Sequence, residues 1–132
     1  MPDAWRRPDA LLLCPVAGEI TSALAPAFEA GCVGTVTQGW QGVTLLTRDR
    51  AQSVPTLPRP EVDPTGAGDV FAAAFLLGYH ESGDPVEAAA FACCAASCAV
   101  EGVGTTALGD RLEVQRRIAL REHFLEEGEW DD

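Results

Sequence analysis

Residues 55–64 carry four prolines (Pro55, Pro58, Pro60, Pro64) and run directly into Thr65-Gly66-Ala67-Gly68-Asp69, after which the chain turns small and apolar. The prolines keep this stretch out of a central strand. Beyond Gly68, the positions of Val70, Phe71, Ala74, Phe75 and Leu77 predict a helix. A helix start leaves its first amides unpaired at the positive end of the dipole. Glycines there let a bound group approach the backbone closely, which suits a phosphate or a developing negative charge. Asp69, in the first turn, is favoured as a carboxylate by the same dipole. A carboxylate beside an anion site can take a proton from a hydroxyl.

Other phosphate loops fit less well. A Walker A loop needs Gly-Lys-Ser/Thr, and all nine cations of this chain are arginines. A dinucleotide fingerprint would put Phe71 at its third glycine position and would follow a strand rather than a proline-rich loop. An oxidoreductase site is therefore not expected. The plain alternative is a glycine turn capping an ordinary helix, with Asp69 compensating the dipole.

Around this loop the pattern is α/β. Ala10 to Cys14 reads as a strand buried on both faces, and Glu19 to Ala30 as a helix kinked or restarted at Pro26. Cys32 to Gln38 and Val43 to Thr47 read as strands turned by Gly39-Trp40-Gln41-Gly42, and residues 48–64 as a short edge strand and a loop. Asp84 as N-cap with Pro85 at the first position opens a helix to about Val100, apolar nearly all round and so largely buried. After a turn at Gly102 to Thr106, Asp110 to about Phe124 reads as an amphipathic helix. Order and alternation place the elements in an α/β layer arrangement.

The chain has 132 residues, 47% of them hydrophobic, which suits one globular domain. A net charge of −11 argues against a nucleic-acid partner, and no apolar run approaches a membrane span. The basic pair Arg6-Arg7 is followed by no signal-type apolar region, so a cytoplasmic protein is the default. Cys14, Cys32, Cys93, Cys94 and Cys98 have no zinc-ligand spacing and read as thiols in a reducing compartment, with Cys94 and Cys98 as small buried hydrophobes. His80 and His123 read as surface residues, and the acidic residues from 122 to 132 as a frayed tail.

Asp63-Pro64-Thr65-Gly66-Ala67-Gly68-Asp69, followed by a small/aromatic helix, resembles the C-terminal signature of the ribokinase-like (PfkB-type) carbohydrate kinases. Thr37-Gln38-Gly39-Trp40-Gln41-Gly42 resembles that family's nucleotide turn. Phe91 to Ala96 resembles the helix that walls the adenine, and Gly102-Val103-Gly104 the turn after it. The resemblance implies a three-layer, Rossmann-like sheet with helices, here cut to its C-terminal half over residues 1–121. It implies an ATP-dependent phosphotransferase acting on a small hydroxyl-bearing substrate, with Mg²⁺ and a monovalent cation as cofactors. Carried over, Asp69 is the catalytic base, and the amides of Gly66, Ala67 and Gly68 form the anion hole. Thr37, Gly39, Gly42 and Cys93 line the nucleotide, and Asp63, Thr65 and Gly104 match the monovalent-cation positions.

Two departures stand out. The family's Asn-x-x-Glu reads Val16-Ala17-Gly18-Glu19, which keeps the acid and loses the amide. Glu19 would organise Mg²⁺ through water, with a helix-start acid as the competing reading. Position 93, often polar in the family, is cysteine. Family members run to roughly twice this length, and the sugar-binding carboxylate and lid belong to the half not seen here. An open sheet edge favours self-association or pairing with that half. A non-catalytic nucleotide-binding relic is the alternative to a working kinase.

Overall fold

The structure is a computed structural model that describes residues 33–47 and 50–128. The strand expected at 10–14, the helix expected at 19–30 and Glu19 lie outside the described residues.

Three strands, β1 (Gly34–Thr37), β2 (Val43–Leu46) and β3 (Ala51–Val54), form an antiparallel sheet in that order. The register pairs Thr37 with Val43 and Val43 with Val54. A single 3-10 turn, Gly39–Gln41, connects β1 to β2. It is closed by hydrogen bonds from the Gln38 amide to the Gly42 carbonyl (2.9 Å) and from the Gly42 amide to the Gly39 carbonyl (3.1 Å). Among the described residues β3 lies at an edge of the sheet, as its polar and proline-rich flanks predict.

Alternation decides which face of the sheet is covered. Val43 and Leu45 of β2 are buried, whereas Thr44 and Leu46 point to a half-buried face. The covered face meets α1 (Ala67–Ser82) and α2 (Pro85–Ala99) in one core of Val43, Leu45, Val54, Phe71, Phe75, Ala88, Ala89, Ala92 and Cys93. Phe71, Phe75 and Tyr79 stack along α1 at helical spacing, with ring centroids 6.1 and 5.9 Å apart. Small residues on α2 let α1 lie close to it. Cys94 and Cys98 are fully enclosed and pack with Val114 in a second, smaller core, as their small-hydrophobe reading expects.

Caps fix the helix boundaries. The Asp84 carboxylate accepts from the amides of Val86 (2.9 Å) and Glu87 (3.3 Å), with Pro85 behind it. Asp110 accepts from Glu113 (2.8 Å) and opens α3 (Arg111–Glu127). α3 therefore continues past the boundary near Phe124, and residues 122–127 are helical. His80 and His123 are exposed, and His123 lies 3.2 Å from Glu127 one turn on.

The buried stripe of α3 differs from what its apolar residues suggest. Val114, Arg117 and Arg121 face inward, while Leu112, Leu120 and Leu125 are exposed. Each inward arginine has an acceptor waiting for it. Arg121 Nε donates to the Pro55 carbonyl (2.7 Å), and Arg117 Nε donates to Glu113 (2.9 Å). Among the described residues no helix is long and apolar enough to cross a membrane.

Candidate functional site

The loop between β3 and α1 is tied down at three places. Thr56 donates its hydroxyl to the Cys93 carbonyl (3.4 Å), Arg121 holds Pro55, and the amides of Val62 and Asp63 both donate to the Val100 carbonyl (2.7 and 3.1 Å). The loop thus crosses the C-terminal half of α2 before it reaches the glycines. There the Asp63 carboxylate accepts from the Thr65 amide (3.0 Å). Hydrogen bonds from the Thr65 side chain and amide hold the Asp63 carboxyl below its ordinary range.

Gly66 then takes φ 84° and ψ −6°, the values of the third residue of a type II turn, which favours glycine. That turn is closed by the Ala67 amide donating to the Pro64 carbonyl at 3.1 Å. The amide of Ala67, expected in the anion hole, is therefore already engaged. Among the described residues, the amides of Gly66 and Gly68 have no backbone acceptor outside the helix ladder. Gly68, at the second helical position, would place a Cβ with no atom within 4 Å. The space over the start of α1 is open, so the backbone there can meet a ligand.

This helix start forms one wall of a cavity of about 310 Å³. The β1–β2 turn supplies Thr37, Gly39, Trp40 and Gly42, and the loop supplies Thr56 to Arg59, Glu61 and Pro64. The start of α1 adds Ala67, Gly68 and Phe71, and α2 adds Cys93, Ala96, Ser97 and Val100. Thr37, Gly39, Gly42, Ala67, Gly68 and Cys93, singled out from the sequence on three separate segments, thus face one space. Gly42 has φ 100° and ψ −136°, and a Cβ on it would lie 2.3 Å from the Val54 carbonyl oxygen. The turn can therefore reach over the cavity only with glycine at this position.

Gly66 and Asp69 stand at the same helix start but outside the cavity lining, and Asp69 is exposed. Gly104 lies on the turn after α2 with φ 61°. Asp63 and Thr65 share a hydrogen bond, but none among the described residues links Gly104 to either. Among the described residues no group of three or more His, Cys, Asp or Glu side chains could hold a metal ion. Burial pushes the Cys93 thiol up to about 12 and the Cys94 thiol up to about 11, so both stay protonated near neutrality. Cys93 is an apolar wall.

Sequence reasoning missed Trp40, Leu57, Arg59, Glu61, Ser97 and Val100 as lining residues. It also missed a network behind them. Arg59 Nε donates to Glu101 (2.6 Å), Arg117 Nη2 holds the other oxygen of Glu101, and Arg117 Nη1 donates to Ser97 (3.1 Å). Partial burial alone would push the Glu101 carboxyl up. The hydrogen bonds from Arg117 and Arg59 outweigh it and hold the group below its ordinary value. A depressed folded-state value means that this contribution to stability is complete above the ordinary glutamate range and disappears as pH falls through the lowered value. Thermal melts between about pH 5 and pH 3 are therefore expected to fall less steeply for Glu101→Gln than for the parent chain. Equal slopes would rule Glu101 out as a source of the acid sensitivity.

The comparisons with known proteins agree with this geometry. The family model described as pfkB family carbohydrate kinase matches residues 9–110. A nucleoside kinase of Methanothermobacter thermautotrophicus is 37% identical over 86 residues, covering 64% of this chain and 28% of that one. The ribokinase of Bacillus subtilis is 41% identical over 69 residues, covering 52% and 24%. Among solved structures, a ribokinase from Thermotoga maritima superposes with a TM-score of 0.67 at 28% identity, covering 76% of this chain and 34% of that one. The Arabidopsis thaliana ribokinase complexed with ribose and ATP gives 0.64 at 30% identity, covering 78% and 35%. The α/β ribokinase-like fold is therefore shown. The chain spans between 21% and 28% of the length of the first three curated relatives.

Proposed function

The chain belongs to the pfkB family of carbohydrate kinases, and we propose that it is the nucleotide- and phosphoryl-handling part of an ATP-dependent phosphotransferase with an alcohol acceptor. The observation that carries this reading is the convergence of the β1–β2 turn, the glycine start of α1 and the α2 wall on one cavity. Its apolar side, with Leu57, Phe71, Ala96 and Val100, suits a purine. Its helix-start end, with the free Gly68 amide and no Cβ, suits phosphate oxygens. The residues present thus fit a nucleotide.

ATP supplies the transferable phosphoryl group. The protein's own part is electrostatic. The amides of Gly66 and Gly68, with the positive end of α1, stabilise the charge that develops on the phosphoryl oxygens. Asp69, in the first turn of the same helix, accepts the proton of the acceptor hydroxyl as it attacks. Among the described residues no group of three or more His, Cys, Asp or Glu side chains could hold Mg²⁺. Relatives named ribokinase and nucleoside kinase make a sugar or nucleoside hydroxyl the acceptor class to try first.

One observation favours a second reading, a nucleotide-binding fragment without turnover. Asp69 is exposed and faces no cavity wall formed by the described residues, so the acceptor side is not enclosed there. Both readings require nucleotide binding, and Gly68→Ala tests it. Alanine meets no atom within 4 Å and is the better helix former, so folding stability should rise by about 0.5 kcal/mol. The added methyl occupies the phosphate approach, so ATP affinity measured by calorimetry should fall at least about tenfold. Unchanged affinity in a stable variant would remove the nucleotide from this helix start.

A further inference from the structure

Arg59 is the only cation, and Glu61 the only carboxylate, among the described residues that line the cavity. The other polar groups of its deep wall are already committed. The Thr56 hydroxyl is donated to Cys93, and the Ser97 hydroxyl is donated to Cys94 at 2.6 Å while accepting from Arg117. Only the Nε of Arg59 is engaged among the described residues, by Glu101 at 2.6 Å. Its two Nη groups remain available to a ligand, and its side chain is about one-third exposed (36%).

Glu101 does more than neutralise Arg59. One of its oxygens takes Arg59 and the other takes Arg117, so one carboxylate bridges two guanidinium groups. Arg117 is 10% exposed and is braced from behind by Glu113 and Ser97. Arg59, the positively charged residue of the lining, is thus anchored at its inner edge by a carboxylate that Arg117 fixes in place. In a chain of net charge −11 with no lysine, a polyanion entering this cavity meets that charge and the helix amides.

On the reading of the cavity as a nucleotide site, we propose that Arg59 supplies the positive charge that binds the nucleotide's phosphates, with Glu101 as the positioning residue that holds it, clamped by Arg117. Arg59 donates through its Nη groups to phosphate oxygens, and the Nε–Glu101 bond keeps the fork aimed at the cavity. Glu61, on the same wall, opposes the same ligand.

The test compares ATP with adenosine, which keeps the base and ribose and lacks the charge. Calorimetric titration of the full chain with each ligand gives the two affinities and their ratio. Arg59→Met keeps most of the apolar stem, so ATP should bind about tenfold more weakly while adenosine is unchanged. Glu61→Gln should move ATP the other way, by about two- to threefold, again without moving adenosine. Glu101→Gln should lower the ATP-to-adenosine ratio, whereas a merely structural Glu101 would lower the melting temperature and leave the ratio unchanged. ATP and adenosine weakened alike in Arg59→Met would overturn the phosphate assignment, and so would unchanged ATP binding. A parent chain that binds neither ligand would instead overturn the nucleotide reading of the cavity itself.

Discussion

Gly42→Ala is expected to destabilise the chain by about 3–5 kcal/mol, a large share of the stability of a domain of this size. Two penalties act together. At φ 100° and ψ −136° the residue occupies a region that side chains other than hydrogen rarely enter. Its Cβ would stand 2.3 Å from the Val54 oxygen and 2.9 Å from both the Pro55 Cα and the Thr56 nitrogen. All three are main-chain atoms, so no rotamer change relieves the contact, and the turn must lift off the loop. Urea unfolding measures the cost. Gly39→Ala serves as the control, because Gly39 has φ 61° but no atom within 4 Å of a would-be Cβ. It should cost only about 1–2 kcal/mol. A Gly42→Ala cost no larger than that would mean that turn and loop do not meet as described.

The second large effect is on turnover. Where the chain phosphorylates an alcohol, Asp69→Asn is expected to lower kcat by about 10²–10⁴, the usual worth of a positioned general base. Nucleotide affinity should stay within about twofold, because Asp69 lies outside the cavity lining and its removal leaves the Gly68 amide untouched. The exposed position also makes the substitution structurally mild. Single-turnover rates and ATP titration on the same preparation separate the two quantities. A variant with the parent rate would sink the base assignment. Loss of ATP binding in parallel with rate would make Asp69 a nucleotide ligand instead.

The sequence reading served best where local chemistry dominates. Asp84-Pro85 reads as a helix start because a carboxylate can reach two orphan amides there, and the structure shows both bonds. Gly39 and Gly42 read as a turn, and the structure has that turn, with both glycines lining the same cavity as Gly68. α3 is where it fell short. Periodicity weighs leucine as inward and arginine as outward, yet Arg117 and Arg121 are buried and Leu112 is 57% exposed. The reason is long-range. The acceptors that make burial of the guanidinium groups acceptable are Glu101, on another segment, and the carbonyl of Pro55, 66 residues earlier. No local pattern encodes them. The same holds for Arg59, whose partner Glu101 lies 42 residues away. For the Ala67 amide, the family signature identified the segment but not that one donor is spent closing the turn.

The threefold anchoring of the 55–63 loop bears on how the chain should be cut. The family match ends at residue 110, which makes the following helix look like a dispensable appendage. Arg121 nevertheless holds the first residue of the loop, and Arg117 reaches the cavity wall through Glu101 and Ser97. A shortened version that stopped at the edge of the match would keep every recognisable motif and lose the buttress that sets the shape of the pocket. The packed unit around this pocket extends past the end of the family match.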